Sequence, residues 1–183
     1  EIRKKMKCKL IIISCTPPEV IKNYSKNKDI TFIEGNLSKD KLLEYYSKVD
    51  IFIYPSRVEA NFGTVLIEAM ANKLPLVTNN FYATSEVVKE GKNGFLIKPL
   101  LKLYDENGKY LGKNDGKYLE EYKWLYENNK RAKEKYVKEI VDKLSILVKN
   151  TKLRKSMGNC GFELVSKGKF SIKERNKKLR KIY

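Results

Sequence analysis

Two carboxylates, Glu59 and Glu68, stand on either side of the run Asn61-Phe62-Gly63-Thr64-Val65. A carboxylate accepts hydrogen bonds from a pair of hydroxyls. The first N–H groups of a helix are unpaired donors in a positive field that attracts anionic oxygen. Gly63 allows a ligand close to the backbone where a side chain would block it. A segment offering both kinds of group directly after a strand has the chemistry to hold a sugar joined to a phosphate. Taken singly, each carboxylate also reads as a solvated residue at a helix start, stabilised by the helix dipole. Arg57, just ahead of the loop, is a further candidate for phosphate or acceptor and equally a surface residue after a strand. The chain has no histidine, which excludes imidazole general bases and most catalytic zinc sites. Nothing in it resembles a metal-binding pair of aspartates, so neither a metal nor a separate cofactor is expected.

The elements that must place these residues are short apolar runs punctuated by turn residues. The pattern predicts strands over 10–14 (LIIIS), 30–34 (ITFIE), 51–54 (IFIY), 74–78 (LPLVT) and 94–97 (GFLI). Ser38 caps a helix with Leu42, Tyr45, Tyr46 and Val49 on one face. A second helix starts at Gly63 or Thr64 and carries Leu66, Ala69 and Met70. A third follows the fourth strand and carries Glu86. Continuous apolarity in the strands indicates that both faces are covered, as in a parallel sheet flanked by helices, where ligands sit at the carboxyl ends of strands. Asn107-Gly108 between alternating arms marks a hairpin insertion at 100–118. From Leu119 the pattern is helical, broken at Asn150-Thr151 and again after Gly168, and the last helix begins at Phe170-Ser171.

A length of 183 residues and 42% hydrophobic content fit one domain with a real core. Cys8, Cys15 and Cys160 lack metal-ligand spacing and read as reduced core thiols of a cytoplasmic protein. The chain shows no bilayer-length apolar run and no signal peptide. Its net charge of +17 is concentrated late, since residues 121–183 hold 19 Lys and Arg against 7 Asp and Glu, a net of +12. Such a face draws anionic lipid, nucleic acid or polyphosphate, or is simply a solvated helical surface. No aromatic interleaves the basic run from Lys173 to Lys181, which argues against nucleic acid. A peripheral position on the inner face of a membrane is the remaining expectation.

Ordered motifs now carry a resemblance. They are Val49-Asp50-Ile51-Phe52-Ile53-Tyr54-Pro55-Ser56, Glu59, Phe62-Gly63, Glu68-Ala69-Met70-Ala71, Leu74-Pro75-Leu76-Val77, Glu86-Val87-Val88 and Gly91-Lys92-Asn93-Gly94-Phe95-Leu96-Ile97. Together they resemble the C-terminal nucleotide-sugar-binding domain of the family-four retaining glycosyltransferases. The similarity continues through Leu153, Arg154, Met157-Gly158, Phe170-Ser171 and Leu179. It implies an α/β fold, a Rossmann-like parallel sheet that forms one half of a GT-B enzyme. It implies that Glu68 holds the ribose hydroxyls and that Glu59 faces the donor sugar as the catalytic carboxylate. The N–H groups of Phe62, Gly63, Thr64 and Val65 would then meet phosphate and sugar oxygens.

Three departures stand out. Glu59 and Glu68 are nine positions apart rather than the family's eight, so either the loop bulges or Asn61 takes part of the sugar-facing role. Tyr82-Ala83 replaces a glycine pair in the loop before Glu86, which makes Tyr82 and Glu86 further candidate positions. The loop after the first strand is Ser14-Cys15-Thr16-Pro17-Pro18 rather than glycine-rich. The resemblance also implies an N-terminal acceptor domain and a glycine-Arg/Lys loop that are not in these residues, so the isolated chain is expected to be inactive. The rival classes are a non-catalytic nucleotide-sugar-binding or scaffold domain and a basic membrane- or nucleic-acid-binding module.

Overall fold

Aliphatic and β-branched runs form the strands, and within each unit a helix after β1, β3 and β4 returns the chain to the start of a parallel neighbour. The computed structural model describes residues 7–56, 63–100, 120 and 127–181, and for Tyr82 the backbone alone. The hairpin expected at 100–118 lies outside the described residues from position 101 on, as does the helical onset expected at Leu119. Internal contacts distinguish two units, residues 1–48 and 49–183.

In the first unit, β1 (Leu10–Ile13) pairs in parallel with β2 (Ile30–Ile33), Leu10 lying opposite Ile30. Helix α1 (Pro18–Tyr24) connects them, and α2 (Lys39–Lys48) follows β2. The sequence pattern does not announce α1. It buries no residue and leaves Ile21 and Tyr24 exposed, so the helical period has no apolar face to reveal it. What starts it is Pro18 in the first turn followed by Glu19. Ser38 Oγ accepts a long hydrogen bond from Lys41 N, 3.4 Å, at the expected start of α2.

In the second unit, β3 (Phe52–Tyr54), β4 (Leu76–Asn79) and β5 (Gly94–Ile97) form a parallel sheet in that order. Helix α3 (Thr64–Ala71) lies between β3 and β4 in sequence, and α4 (Tyr82–Val87) lies between β4 and β5. Among the described residues the helices α5 (Lys130–Lys149), α6 (Thr151–Ser166) and α7 (Ile172–Leu179) follow. Every residue of β4 is buried, which is how a strand with helices on both faces must look. The core gathers Val77, Phe95, Ile97, Tyr136, Leu147 and Met157.

Strand β4 begins two residues later than the apolar run suggests. Leu74 N donates to Ala69 O and Lys73 N to Met70 O, with Lys73 at φ 57, so these residues close α3 in a Schellman turn. Asn150 ends α5 and begins α6, its Oδ1 accepting from Leu153 N at 2.9 Å. Ser171 Oγ caps α7 by accepting from Glu174 N.

On the side of β5 that faces away from β4, carboxylates accept from its N–H groups. Leu96 N donates to Glu90 Oε2 at 2.6 Å and Lys98 N to Glu139 Oε1 at 3.2 Å, while Lys143 pairs with Glu90. An edge whose N–H groups already have acceptors no longer templates another strand. The expectation of core thiols fails: Cys15 is exposed, Cys8 and Cys160 are half-buried, and all three are free. No described helix is long and apolar enough to cross a membrane.

Candidate functional site

The carboxyl ends of β3 and β4 are joined by side chains where backbone pairing stops. The ladder reaches Tyr54 opposite Thr78. Beyond it, Asn80 N turns to Ile97 O on the other side, at 2.7 Å. The β3 carbonyls are taken over by side chains of β4. Thr78 Oγ1 donates to Tyr54 O at 2.8 Å, and Asn79 Nδ2 donates to Ser56 O at 2.6 Å. Asn79 Oδ1 accepts from the Tyr136 hydroxyl of α5 at 2.9 Å. Thr84 Oγ1 donates to Asn79 O at 2.5 Å and accepts from Phe81 N at 3.0 Å, which fixes the entry to α4. Thr78, Asn79 and Thr84 are all buried, and such a network is stable because each group has a partner.

Helix α3 starts at this same end of the sheet. Gly63 is its N-cap, at φ 67 and ψ 63, and accepts from Leu66 N at 2.8 Å. The intrahelical bonds therefore begin at Leu66, and the N–H groups of Thr64 and Val65 precede them, as in any first turn. A side chain at Gly63 would have to adopt a left-handed backbone and would come within 3.1 Å of Leu66 Cδ1. Leu66, Ala69 and Met70 face the interior with no exposure. Thr64 and Glu68, four residues apart, share the exposed side. The arrangement presents donors at a helix start and a carboxylate one turn further on.

Of the predicted site residues, the structure thus places Gly63, Thr64, Val65 and Glu68 on one short helix and its cap. Arg57, Glu59, Asn61 and Phe62 lie outside the described residues. Tyr82 and Ala83 are not in a loop: they form the first turn of α4, because Thr84 hydroxyl bonds at Phe81 and Asn79 start the helix there. Glu86 is half-exposed and lies 4.0 Å from Lys169 Nζ, a surface ion pair. Sequence reasoning missed Thr78, Asn79, Thr84 and Tyr136. Two polar residues closing an apolar strand were the available signal for the first pair. Tyr136 shares helical spacing with Ile140 and Leu144, and its hydroxyl partner is 57 positions away. Among the described residues no cluster of three or more His, Cys, Asp or Glu forms a metal site.

The family model for glycosyl transferases group 1 matches residues 6–102, a stretch that contains β1 through β5 and the cap of α3. The chain belongs to that family. Among curated relatives of this group 1 glycosyltransferase chain is spore coat protein SA of Bacillus subtilis (strain 168). It is 28% identical over 153 residues, covering 81% of this chain and 32% of that protein. Sulfoquinovosyl transferase SQD2 of Arabidopsis thaliana is 31% identical over 116 residues, 56% of this chain and 22% of that protein. The chain therefore spans a third or less of the length of these relatives.

Solved structures bear on the fold of the group 1 chain. The C-terminal domain of the glycosyl transferase group 1 family protein LpcC from Francisella tularensis has a TM-score of 0.55 at 24% identity, over 84% of this chain and 60% of that one. Anabaena HepE, solved in complex with UDP, has a TM-score of 0.66 at 15% identity, over 99% of this chain and 42% of that one. The parallel strands flanked by helices are those of a Rossmann-like half of the GT-B fold.

Proposed function

We propose that this chain is the nucleotide-sugar-binding half of a retaining glycosyltransferase, with the acceptor held by a second domain of a longer polypeptide. The single observation that carries the reading is the start of α3, where a left-handed Gly63 opens a helix whose exposed side bears Thr64 and Glu68. The diphosphate would lie at the N–H groups of the loop and of Gly63, Thr64 and Val65, and Glu68 would accept from the ribose hydroxyls. Glu59, with Asn61 beside it, would face the sugar and stabilise its positive charge as the anomeric bond breaks. In a transfer with retention, the acceptor oxygen bonds to the anomeric carbon on the face the diphosphate leaves. The acceptor proton passes to the departing phosphate oxygen, so no histidine is needed. On this reading neither a metal nor a separate cofactor takes part, the isolated chain binds donor without transferring sugar, and its place is the cytoplasm.

Calorimetric titration of the 183-residue chain with nucleoside diphosphates and their sugars, starting with UDP, tests the reading. Hydrogen bonds to a charged group are worth about 1.5–3 kcal/mol, so Glu68→Gln should weaken donor binding roughly tenfold to a hundredfold. A folded wild-type chain that binds no nucleoside diphosphate at millimolar concentration would remove the donor site. Equal binding by wild type and Glu68→Gln would remove the ribose role.

A further inference from the structure

We propose that α7 docks on an anionic lipid surface, with Ile172 and Leu179 entering the head-group region and the cations around them meeting lipid phosphates. The inference is independent of the donor site. Helix α7 buries no residue, and Ile172 is 69% and Leu179 45% exposed. Its start is nevertheless firmly held. The cap Ser171 is buried, Gly168 N donates to Glu163 O at 2.9 Å, and Phe170 N donates to Leu164 O at 3.0 Å, so the turn out of α6 fixes the helix at one end. A helix of eight residues is too short to be stable by itself. One that buries nothing against its own domain gains little from packing along its length, and a surface that covers it would supply that support.

Helical geometry sorts the side chains. Seven positions make nearly two whole turns, so Ile172 and Leu179 lie within about 20° of each other around the axis and about 10 Å apart along it. Arg175 and Arg180 border this stripe on its two sides, and Lys173, Lys177, Lys178 and Lys181 fill the rest of the surface. Glu174, the one acid from Ile172 to Lys181, falls on the far side. All six cations are exposed, and no described carboxylate pairs with them. The cores of protein interfaces are depleted in lysine. A nucleic-acid backbone has no use for two aliphatic side chains, and the run has no aromatic to stack on a base. Anionic lipid suits both features: the aliphatic groups leave water, while the Lys and Arg stems lie along the apolar boundary with their charges at phosphate.

Co-sedimentation of the 183-residue chain with vesicles, near physiological ionic strength, tests the proposal. The chain should bind phosphatidylcholine vesicles that contain phosphatidylglycerol and leave pure phosphatidylcholine alone. Lys177→Gln with Lys178→Gln should lower the partition coefficient about thirtyfold, or about fivefold for each cation. Ile172→Ser with Leu179→Ser, at unchanged charge, should lower it at least about tenfold. Arg131→Gln with Lys135→Gln, two exposed cations of α5, makes the same change in charge and should stay within about threefold of wild type. Circular dichroism checks that each protein is folded, which is expected because α7 buries nothing. No binding to the mixed vesicles, equal binding to both kinds, or wild-type binding by either α7 pair overturns the proposal. An equal loss in the α5 pair overturns it by showing a diffuse positive charge. Tighter binding to duplex DNA than to the mixed vesicles, or a dimer in light scattering that the serine pair abolishes, overturns it in favour of that other occupant.

Discussion

Gly158 of α6 lies directly against the carbonyl of Lys73, the left-handed residue that closes α3. A β-carbon at position 158 would overlap the Lys73 oxygen and stand 2.7 Å from its carbonyl carbon. Helix α6 can therefore approach the end of the site helix only because position 158 has no side chain. Lys73 Nζ adds a cation–π contact to the Phe162 ring, 4.9 Å from its centroid, one turn along α6. Gly158→Ala should destabilise by about 1–3 kcal/mol, the usual cost of overpacking. Gly161→Ala should cost less, because its β-carbon would meet the flexible Met70 side chain at 3.1 Å. Thermal melts of the two variants check the order; equal losses would contradict the close approach at Lys73.

Arg154 and Asp50 form an ion pair at 3.4 Å whose two partners differ sharply in burial, 16% exposed against 78%. Arg154 also donates through one nitrogen to Leu147 O at 2.7 Å and Val148 O at 3.0 Å, the last carbonyls of α5. Those bonds to carbonyls at the end of α5 should dominate over the ion pair. Denaturant unfolding should show Arg154→Ala costing about 1.5–3 kcal/mol, and Asp50→Ala less than about 1 kcal/mol.

Thr84 is buried and its hydroxyl serves both Asn79 O and Phe81 N. Thr84→Val keeps the shape and removes both hydroxyl bonds, while Phe81 N still donates to Asn79 O at 3.0 Å, so urea unfolding should show a loss of about 1 kcal/mol. Thr84→Ser retains the hydroxyl and should recover most of that loss. A serine as damaging as valine would mean that the methyl group, not the oxygen, matters there.

Gly63→Ala forces a β-carbon into the left-handed region and toward Leu66. The left-handed backbone alone costs roughly 1–2 kcal/mol, which a melting curve would register. In the same protein the affinity for nucleoside diphosphate should fall, because the first turn of α3 is displaced.

Glu68 and Glu86 are both exposed, so replacing either with Gln should move stability by no more than about 0.5 kcal/mol. The two should separate in binding: Glu68→Gln weakens the donor, and Glu86→Gln, which loses only the long contact to Lys169, leaves its affinity within about twofold. A large effect at Glu86 would bring α4 into the donor site.

Local pattern carried most of the fold because its determinants are local. The continuous apolar run at Leu76-Val77 declares a strand covered on both faces, Ser171 and Asn150 declare helix starts, and the ordered motifs from Val49 to Ile97 declare the family. The start of α3 at Gly63 was legible because a glycine directly ahead of the apolar spacing of Leu66, Ala69 and Met70 marks a helix boundary. Three things were not legible. Helix α1 hides because a helix that buries nothing shows no period. The start of β4 hides because Leu74 and Pro75 are as apolar as the strand, while their N–H chemistry belongs to the turn that ends α3. The Ser56–Asn79–Tyr136 relay hides because its members are 23 and 57 positions apart, and no spacing rule connects an amide to a hydroxyl on a helix that packs against it. Residue type sets what each group can donate or accept; which partner it meets depends on where packing of α5 against the sheet brings the chain together.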